Sequence, residues 1–385
     1  MAFFIGRDRE ARRSYSFDEV SIVPGSVTIN PEVVDTLSKL GPLTLKIPFL
    51  ASAMDAVSDV SFAARMSRFG ALAIVNLDGI YTRYANPREP LRRIIGASSA
   101  QVTRVMQEVY SKPVREELIA QRIREIKKAG GTAAVSTIPQ NAQRWAKIAE
   151  EAGASLFVIQ ATVVTSRHEG VDGIFLNLKD FCKKIKIPVV LGNCVTYGAA
   201  LELMETGCVG ILVGVGPGSA CTSRQVLGVG VPQITAIVDV AQARDAYFKK
   251  TGRRAAIIAD GGMRTGGDIC KAVVAGADFV MLGGTFSRAH EAPGKGYHWG
   301  MAMPSRYLPR GTRIYAGQEA PLETILFGPA FKDDGTQNLA GALRTSMGYV
   351  GAKSIREFQQ AELIIAPEIS HEGKALQKIQ KVGMG

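Results

Sequence analysis

No stretch of this chain approaches the ~18 consecutive apolar residues that a membrane-spanning helix needs. Its first residues, Met1 to Asp8, lack the basic, apolar and small-residue order of a secretion signal, so a cytoplasmic location is expected. Cysteine is sparse: Cys182, Cys194, Cys208, Cys221 and Cys270 form no CxxC pair. An odd number of thiols without an export signal argues for reduced cysteines rather than a disulfide framework. Four histidines, His168, His290, His298 and His371, are too scattered to suggest a zinc site. No Gly-x-Gly-x-x-Gly opens a helix with an acid placed after it, which weakens a doubly wound nucleotide-binding sheet. Charged residues are 21% against 46% hydrophobic, a balance that excludes a disordered chain.

The charge that is present has one dominant sign. A net charge of +11 favours an anionic partner, either a phosphorylated small molecule or a nucleic acid. The basic residues, such as Arg115, Arg122, Arg124, Lys127 and Lys128, lie along helical patterns without interleaved aromatics. They read as solvated helix faces, which leaves nucleic acid the weaker partner.

Eight short apolar runs punctuate the chain: Pro48–Ala51, Ala71–Val75, Ala133–Ser136, Leu156–Gln160, Pro188–Leu191, Gly210–Val213, Ala256–Ala259 and Phe279–Leu282. Continuous apolar runs of this length suit strands buried on both faces, as in a parallel sheet. Helical patterns lie between most of them. One follows Pro113, with Ile119, Ile123 and Ile126 on a stripe and Gly130 as its stop. A second runs from an N-cap at Thr196 to Gly207. A third opens on a Thr265/Asp268 capping box and closes at Gly276. Eight such repeats predict one (β/α)8 barrel over residues 1–385, with a doubly wound sheet as the alternative.

In a barrel the chemistry sits at the C-terminal strand ends. The sixth run leads into Gly214, Gly216, Pro217, Gly218, Ser219, Cys221, Thr222 and Ser223. Glycines at alternate positions let backbone groups approach a ligand, because no Cβ holds it off. A thiol on such a polar turn is a candidate nucleophile; the plain alternative is a tight turn beside a small buried cysteine. The other exits hold Ser52 and Met54, Gln160, Asn193, Asp260 with Gly262, and Gly283 with Gly284. Glycine pairs after the seventh and eighth strands suit a phosphate. The long segment beyond the eighth strand, about 286–340, is expected to form a flap.

The cysteine loop resembles that of the IMP dehydrogenase/GMP reductase family, with Ser223 where threonine is usual. The resemblance runs from about Gly6 to Gly383 and implies a covalent mechanism. Cys221 would attack C2 of IMP, hydride would pass to NAD, and water would hydrolyse the thioimidate to give XMP, a step in guanine nucleotide biosynthesis. It implies further that Ser52, Met54, Asn193, Ser219, Asp260, Gly262, Gly283, Gly284, Met301, Ala302 and Gln318 hold the purine nucleotide. Arg306 and Tyr307 would activate water with Ser223, and Gln160 and Ser223 would face the cofactor. A potassium ion on the carbonyls of Gly216, Gly218 and Cys221 is implied as well, as is a homotetramer with Glu372 reaching a neighbouring site. The family's dehydrogenases usually carry a CBS pair after the second strand; only Ile80 to Lys112 stands there, too little for an independent domain. Other departures are Gln160 in place of an aspartate near the nicotinamide ribose, Leu212 in place of a basic residue, and His298 in place of a tyrosine near the base. They fit a CBS-lacking, IMP dehydrogenase-related branch. A GMP reductase using NADPH and a purine-nucleotide binder without catalysis are the rival readings.

Overall fold

The computed structural model describes residues 3–168, 176–300, 312–367, 373–380 and 382–383. The apolar runs form β1 (Phe49–Ala51), β2 (Leu72–Asn76), β3 (Ala134–Thr137), β4 (Leu156–Gln160), β5 (Val189–Cys194), β6 (Gly210–Val213), β7 (Ala256–Asp260) and β8 (Phe279–Leu282). Neighbours pair parallel in chain order, and β8 pairs back onto β1, so the sheet closes. The expected (β/α)8 barrel is the observed fold. Some strand bounds differ from the apolar runs, for physical reasons. Pro48 and Pro188 precede their strands because proline has no N–H for the ladder, although both carbonyls accept, from Val280 and Phe157. At their other ends β2, β5 and β7 run on through polar residues, since backbone pairing does not require an apolar side chain.

Side chains of a strand alternate between faces, and here both faces are dry. Leu50, Leu72, Ile74, Leu156, Val158, Val190, Leu212, Ile258, Phe279 and Met281 fill the barrel interior. Their alternating neighbours, among them Phe49, Val75, Phe157, Leu191, Ile211, Ile257 and Val280, pack outward against helices. A short hairpin, Ser38–Leu40 with Leu43–Leu45, closes the N-terminal end. Its Leu40 is fully buried and joins the interior cluster. Burial of such a side chain contributes about 1.5–3 kcal/mol. The plug leaves the opposite, C-terminal end as the mouth.

The outer helices are α1 (Val60–Arg68), α2 (Glu116–Lys128), α3 (Pro139–Glu151), α4 (Leu178–Lys184), α5 (Tyr197–Met204), α6 (Gln233–Thr251), α7 (Gly266–Val274) and α8 (Leu339–Tyr349). The anticipated signals operate as read. Ile119, Ile123 and Ile126 of α2 are fully buried. Thr196 Oγ1 accepts from the Ala199 N–H at the start of α5. Thr265 and Asp268 cap α7 reciprocally. No described helix is long and apolar enough to cross a membrane.

Between β2 and α2 stand only three short helices, Ile80–Arg83, Arg88–Gly96 and Val102–Tyr110; no CBS module is inserted there. These helices share a small core in which Tyr81, Leu91, Ile94, Met106 and Tyr110 surround Trp299. A buried polar chain ties that core to the mouth. Trp299 Nε1 donates to Tyr110 Oη at 2.7 Å, and Tyr110 Oη donates to Asp55 Oδ2 at 2.6 Å. Asp55 follows Met54 at the exit of β1, and burial pushes its carboxyl up to about 6. Beyond β8 come a short helix, Gly284–Ser287, a hairpin pairing Tyr297–His298 with Ile314–Tyr315, and a helix, Leu322–Phe327. Met301, Ala302, Arg306, Tyr307 and Glu372 lie outside the described residues.

Candidate active site

Six strand exits converge on the mouth. The loop after β6 crosses it and lies against the exits of β7 and β8. A Cβ added to Gly262 would stand 3.0 Å from Pro217 Cβ, and one on Gly261 would stand 3.3 Å from the Gly218 nitrogen. Both glycines have left-handed backbone, with φ of +82° and +84°, which a side chain would strain further. From the other side, a Cβ on Gly283 would meet Met54 Sδ at 2.7 Å and Ser52 Oγ at 3.4 Å. Gly283 and Gly284 thus bring the exits of β1 and β8 and the cysteine loop into one cradle with no side chain of their own to fill it.

Cys221 rides on this loop. Of the five cysteines it is the exposed one, whereas Cys194, Cys208 and Cys270 are buried and Cys182 is half-buried. Burial pushes the thiols of Cys194 and Cys270 up to about 12 and raises those of Cys182 and Cys208 as well. Those sulfurs pack; only Cys221 is open to a reaction partner. Its thiol donates to Ser223 Oγ at 3.3 Å, and Ser223 is buried. As a thiolate the sulfur would accept that hydroxyl's proton instead. Arg224 holds the loop's far side, donating to the Val215 carbonyl at 3.3 Å and the Val231 carbonyl at 2.7 Å. The carbonyl of Ala220 accepts from the Thr312 N–H at 3.3 Å, so the segment after β8 returns directly to the cysteine loop.

Three strands supply a second cluster. Asn193 Nδ2 donates to Asp260 Oδ2 at 2.8 Å, and Gln160 Nε2 donates to the same oxygen at 3.0 Å and to Asn193 Oδ1 at 3.2 Å. A register slip between Gly192 and Cys194 in β5 accompanies Asn193; such a bulge re-aims a side chain. Burial pushes the Asp260 carboxyl up to about 6, against the pull of its two amide donors. Gln160, assigned to the cofactor on sequence grounds, is therefore engaged with Asn193 and Asp260. Gln233, at the start of α6, had no sequence signal; its amide bonds the Val213 carbonyl at 2.7 Å and braces the turn after β6.

His298 lies against the cysteine loop: its ring contacts Ser219 Oγ at 2.9 Å and Ser287 Oγ at 3.2 Å, and a Cβ added to Gly284 would stand 3.4 Å from its Nε2. The hairpin that carries it pairs at residues 297 and 298, and that register sets its depth. Gln318 is exposed, and its amide reaches the His290 carbonyl at 3.5 Å; among the described residues no bond joins it to the strand exits. Among the described residues no group of three or more His, Cys, Asp or Glu could hold a metal ion.

Comparison with known proteins agrees with the barrel fold. The model of the IMP dehydrogenase/GMP reductase domain matches residues 14–310. An uncharacterized oxidoreductase of Mycolicibacterium smegmatis is 36% identical over 94% of this chain and 99% of its own length. The inosine-5'-monophosphate dehydrogenase of Cryptosporidium parvum is 30% identical over 90% of each chain. The crystal structure of an IMP dehydrogenase/GMP reductase-like protein from Corynebacterium glutamicum superposes with a TM-score of 0.89 at 36% identity, covering 94% of this chain and 97% of that one. With a closed parallel barrel and an exposed cysteine on the glycine-rich loop after its sixth strand, this chain belongs to the IMP dehydrogenase/GMP reductase family of oxidoreductases.

Proposed function

We propose that the protein is an IMP dehydrogenase, a single catalytic barrel that oxidises IMP to XMP with NAD. The observation that carries the reading is the exposed Cys221 thiol on a loop packed against the glycine cradle of β7 and β8. In this reading the 5'-phosphate lies among Ser219, Gly262, Gly283 and Gly284, where three of the four residues carry no Cβ to hold it off the backbone. Asp260 accepts from the ribose hydroxyls, Asn193 lies beside the purine, and Ser52 and Met54 border it, with Met301, Ala302 and Gln318 on the flap side.

Cys221 Sγ adds to C2 of the hypoxanthine, and Ser223 supports the thiolate through its hydroxyl. NAD, when bound, supplies the acceptor for the hydride that leaves C2. The thioimidate left on Cys221 is hydrolysed by water, which releases XMP and restores the thiol; Arg306 and Tyr307 are the residues proposed to activate that water. The cofactor ribose would meet Gln160 and Ser223, but Gln160 already spends both amide hydrogens on Asn193 and Asp260. Its carbonyl oxygen is buried and has no hydrogen-bond partner among the described residues, so a hold on the cofactor requires the side chain to turn. Gly216, Gly218 and Cys221 offer neutral backbone carbonyls, a donor set that suits potassium better than a transition metal. The Gly218 carbonyl already accepts the Cys221 N–H at 3.0 Å and keeps one lone pair for the ion. The reading extends to a homotetramer in which Glu372 reaches a neighbouring site.

A matrix of IMP or GMP with NAD, NADH, NADP or NADPH, followed by absorbance of the reduced nicotinamide, tests this. NADH formed from IMP and NAD is expected. Consumption of NADPH with GMP alone would assign the protein as a reductase instead. Mass spectrometry of enzyme quenched during turnover should find an adduct on Cys221 that is absent in Cys221→Ala; no turnover and no adduct, with nucleotide bound, would leave only a binding protein.

A further inference from the structure

The polar atoms around His298 form a relay whose hydrogen positions can be worked out. Ser287 Oγ donates its one proton to the Gly284 carbonyl at 2.7 Å. Towards His298 Nδ1, 3.2 Å away, it can then only accept, so Nδ1 carries hydrogen. In the neutral ring Nε2 is a bare lone pair, and it accepts the Ser219 hydroxyl at 2.9 Å. The ring is buried, with 2% exposure. Among the described residues the charged group that acts on it is Arg288, which is paired with Glu319 at 2.8 Å. Burial first, and Arg288 second, hold the imidazolium down to about 4, so the resting ring is neutral.

A phosphate in the cradle described above changes this balance. Ser219 must turn its hydroxyl from His298 to a phosphate oxygen, which leaves the Nε2 lone pair facing an anion. That contact is repulsive unless Nε2 gains a proton, and then it becomes a charge-assisted donor. We propose that His298 is a phosphate-binding residue that takes up a proton as a dianionic phosphate monoester enters, with Ser287 anchoring Nδ1 and Ser219 exchanging partners. The inference rests on the nucleotide reading of the site. One N–H bond forms, the proton comes from bulk buffer, and no other bond is made or broken.

The sign of the linkage follows. The ring's proton affinity is higher in the complex than in the free protein. The contribution to affinity is therefore lost as pH rises through the value in the complex, at up to about tenfold per pH unit. Calorimetric titration with IMP at pH 7.5 in buffers of different ionisation enthalpy reads the uptake directly. At that pH a phosphate monoester, with a second pKa near 6, is already the dianion and contributes little.

The expected result is an observed enthalpy that varies with the buffer, corresponding to net proton uptake. The variation should vanish in His298→Gln, which should bind IMP more weakly than the parent at pH 7 and with a flatter pH profile. Inosine, lacking the phosphate, should bind without uptake. IMP binding with no buffer dependence, or with uptake unchanged in His298→Gln, would overturn the role of His298 and leave the nucleotide reading intact. Absence of binding by IMP, GMP and inorganic phosphate alike would overturn both.

Discussion

Asp260→Asn separates what the fold wants from what the site wants. The Asp260 carboxyl sits at about 6 instead of its ordinary 3.8, so the native state disfavours the carboxylate. Two units at 1.36 kcal/mol each amount to about 3 kcal/mol. The direction is set by linkage. Below pH 3.8 both folded and unfolded chains hold the proton and the penalty is nil. Between 3.8 and 6 the unfolded chain ionises first and the native state loses stability; above 6 the full penalty applies. Asparagine resembles the protonated acid and can turn its carbonyl to accept from Gln160 and Asn193, the two donors now on Oδ2. The variant should therefore be more stable than the parent by up to ~3 kcal/mol at pH 7.5, with the gain shrinking towards zero near pH 4. Binding should move the opposite way, because the flipped amide offers N–H where a ribose hydroxyl needs an acceptor. A lost hydrogen bond to a charged group costs about 1.5–3 kcal/mol, roughly 10- to 150-fold in IMP affinity. Urea unfolding across pH and calorimetric titration in a Cys221→Ala background measure the two effects. A variant less stable than the parent at pH 7.5, or a gain that does not change with pH, would refute the assignment of a half-buried, reluctantly ionised Asp260.

Three further outcomes are expected. Gln160→Glu places a second carboxylate against Asp260, and a like charge raises a carboxyl pKa; the acid limb of kcat/KM for IMP should move to higher pH, as a pH–rate profile would record. Gly283→Ala puts a methyl 2.7 Å from Met54 Sδ and 3.4 Å from Ser52 Oγ. The flexible thioether can yield, so thermal unfolding should change little while kcat/KM falls roughly 10- to 100-fold, since displacement of a binding group by about 1 Å is enough for that. Tyr110→Phe removes the hydroxyl between Trp299 and Asp55. Asp55 Oδ2 keeps the Ile80 N–H at 2.8 Å, but the stranded indole N–H should cost about 1–3 kcal/mol in urea unfolding.

The legible parts of the molecule were local. Alternate glycines before Cys221 announce a backbone that must approach something closely, whatever surrounds it. Thr196 and Thr265 announce helix starts because a cap is made within three residues. The terminal hairpin at Ser38–Leu45 was not legible as a plug, because its leucines gain a role only once eight strands have closed above them. The triad of Gln160, Asn193 and Asp260 joins residues 33, 67 and 100 positions apart, and no spacing along the chain encodes those distances. His298 illustrates the same limit. Its identity as a departure could be read from the motif, but its place against Ser219 depends on the register of a two-residue hairpin.

Taken by itself, the order of residues determined that there would be eight doubly buried strands, a loop cysteine among glycines, and too few residues after the second strand for another domain. Those properties depend on hydrophobic periodicity, on Cβ sterics and on chain length, which act over a few positions. Tertiary structure decided which polar groups meet at the mouth, which thiols are sealed, and how far burial moves Asp55, Asp260 and His298 from their ordinary protonation. Desolvation and hydrogen bonding between distant strands exist only after the barrel has closed.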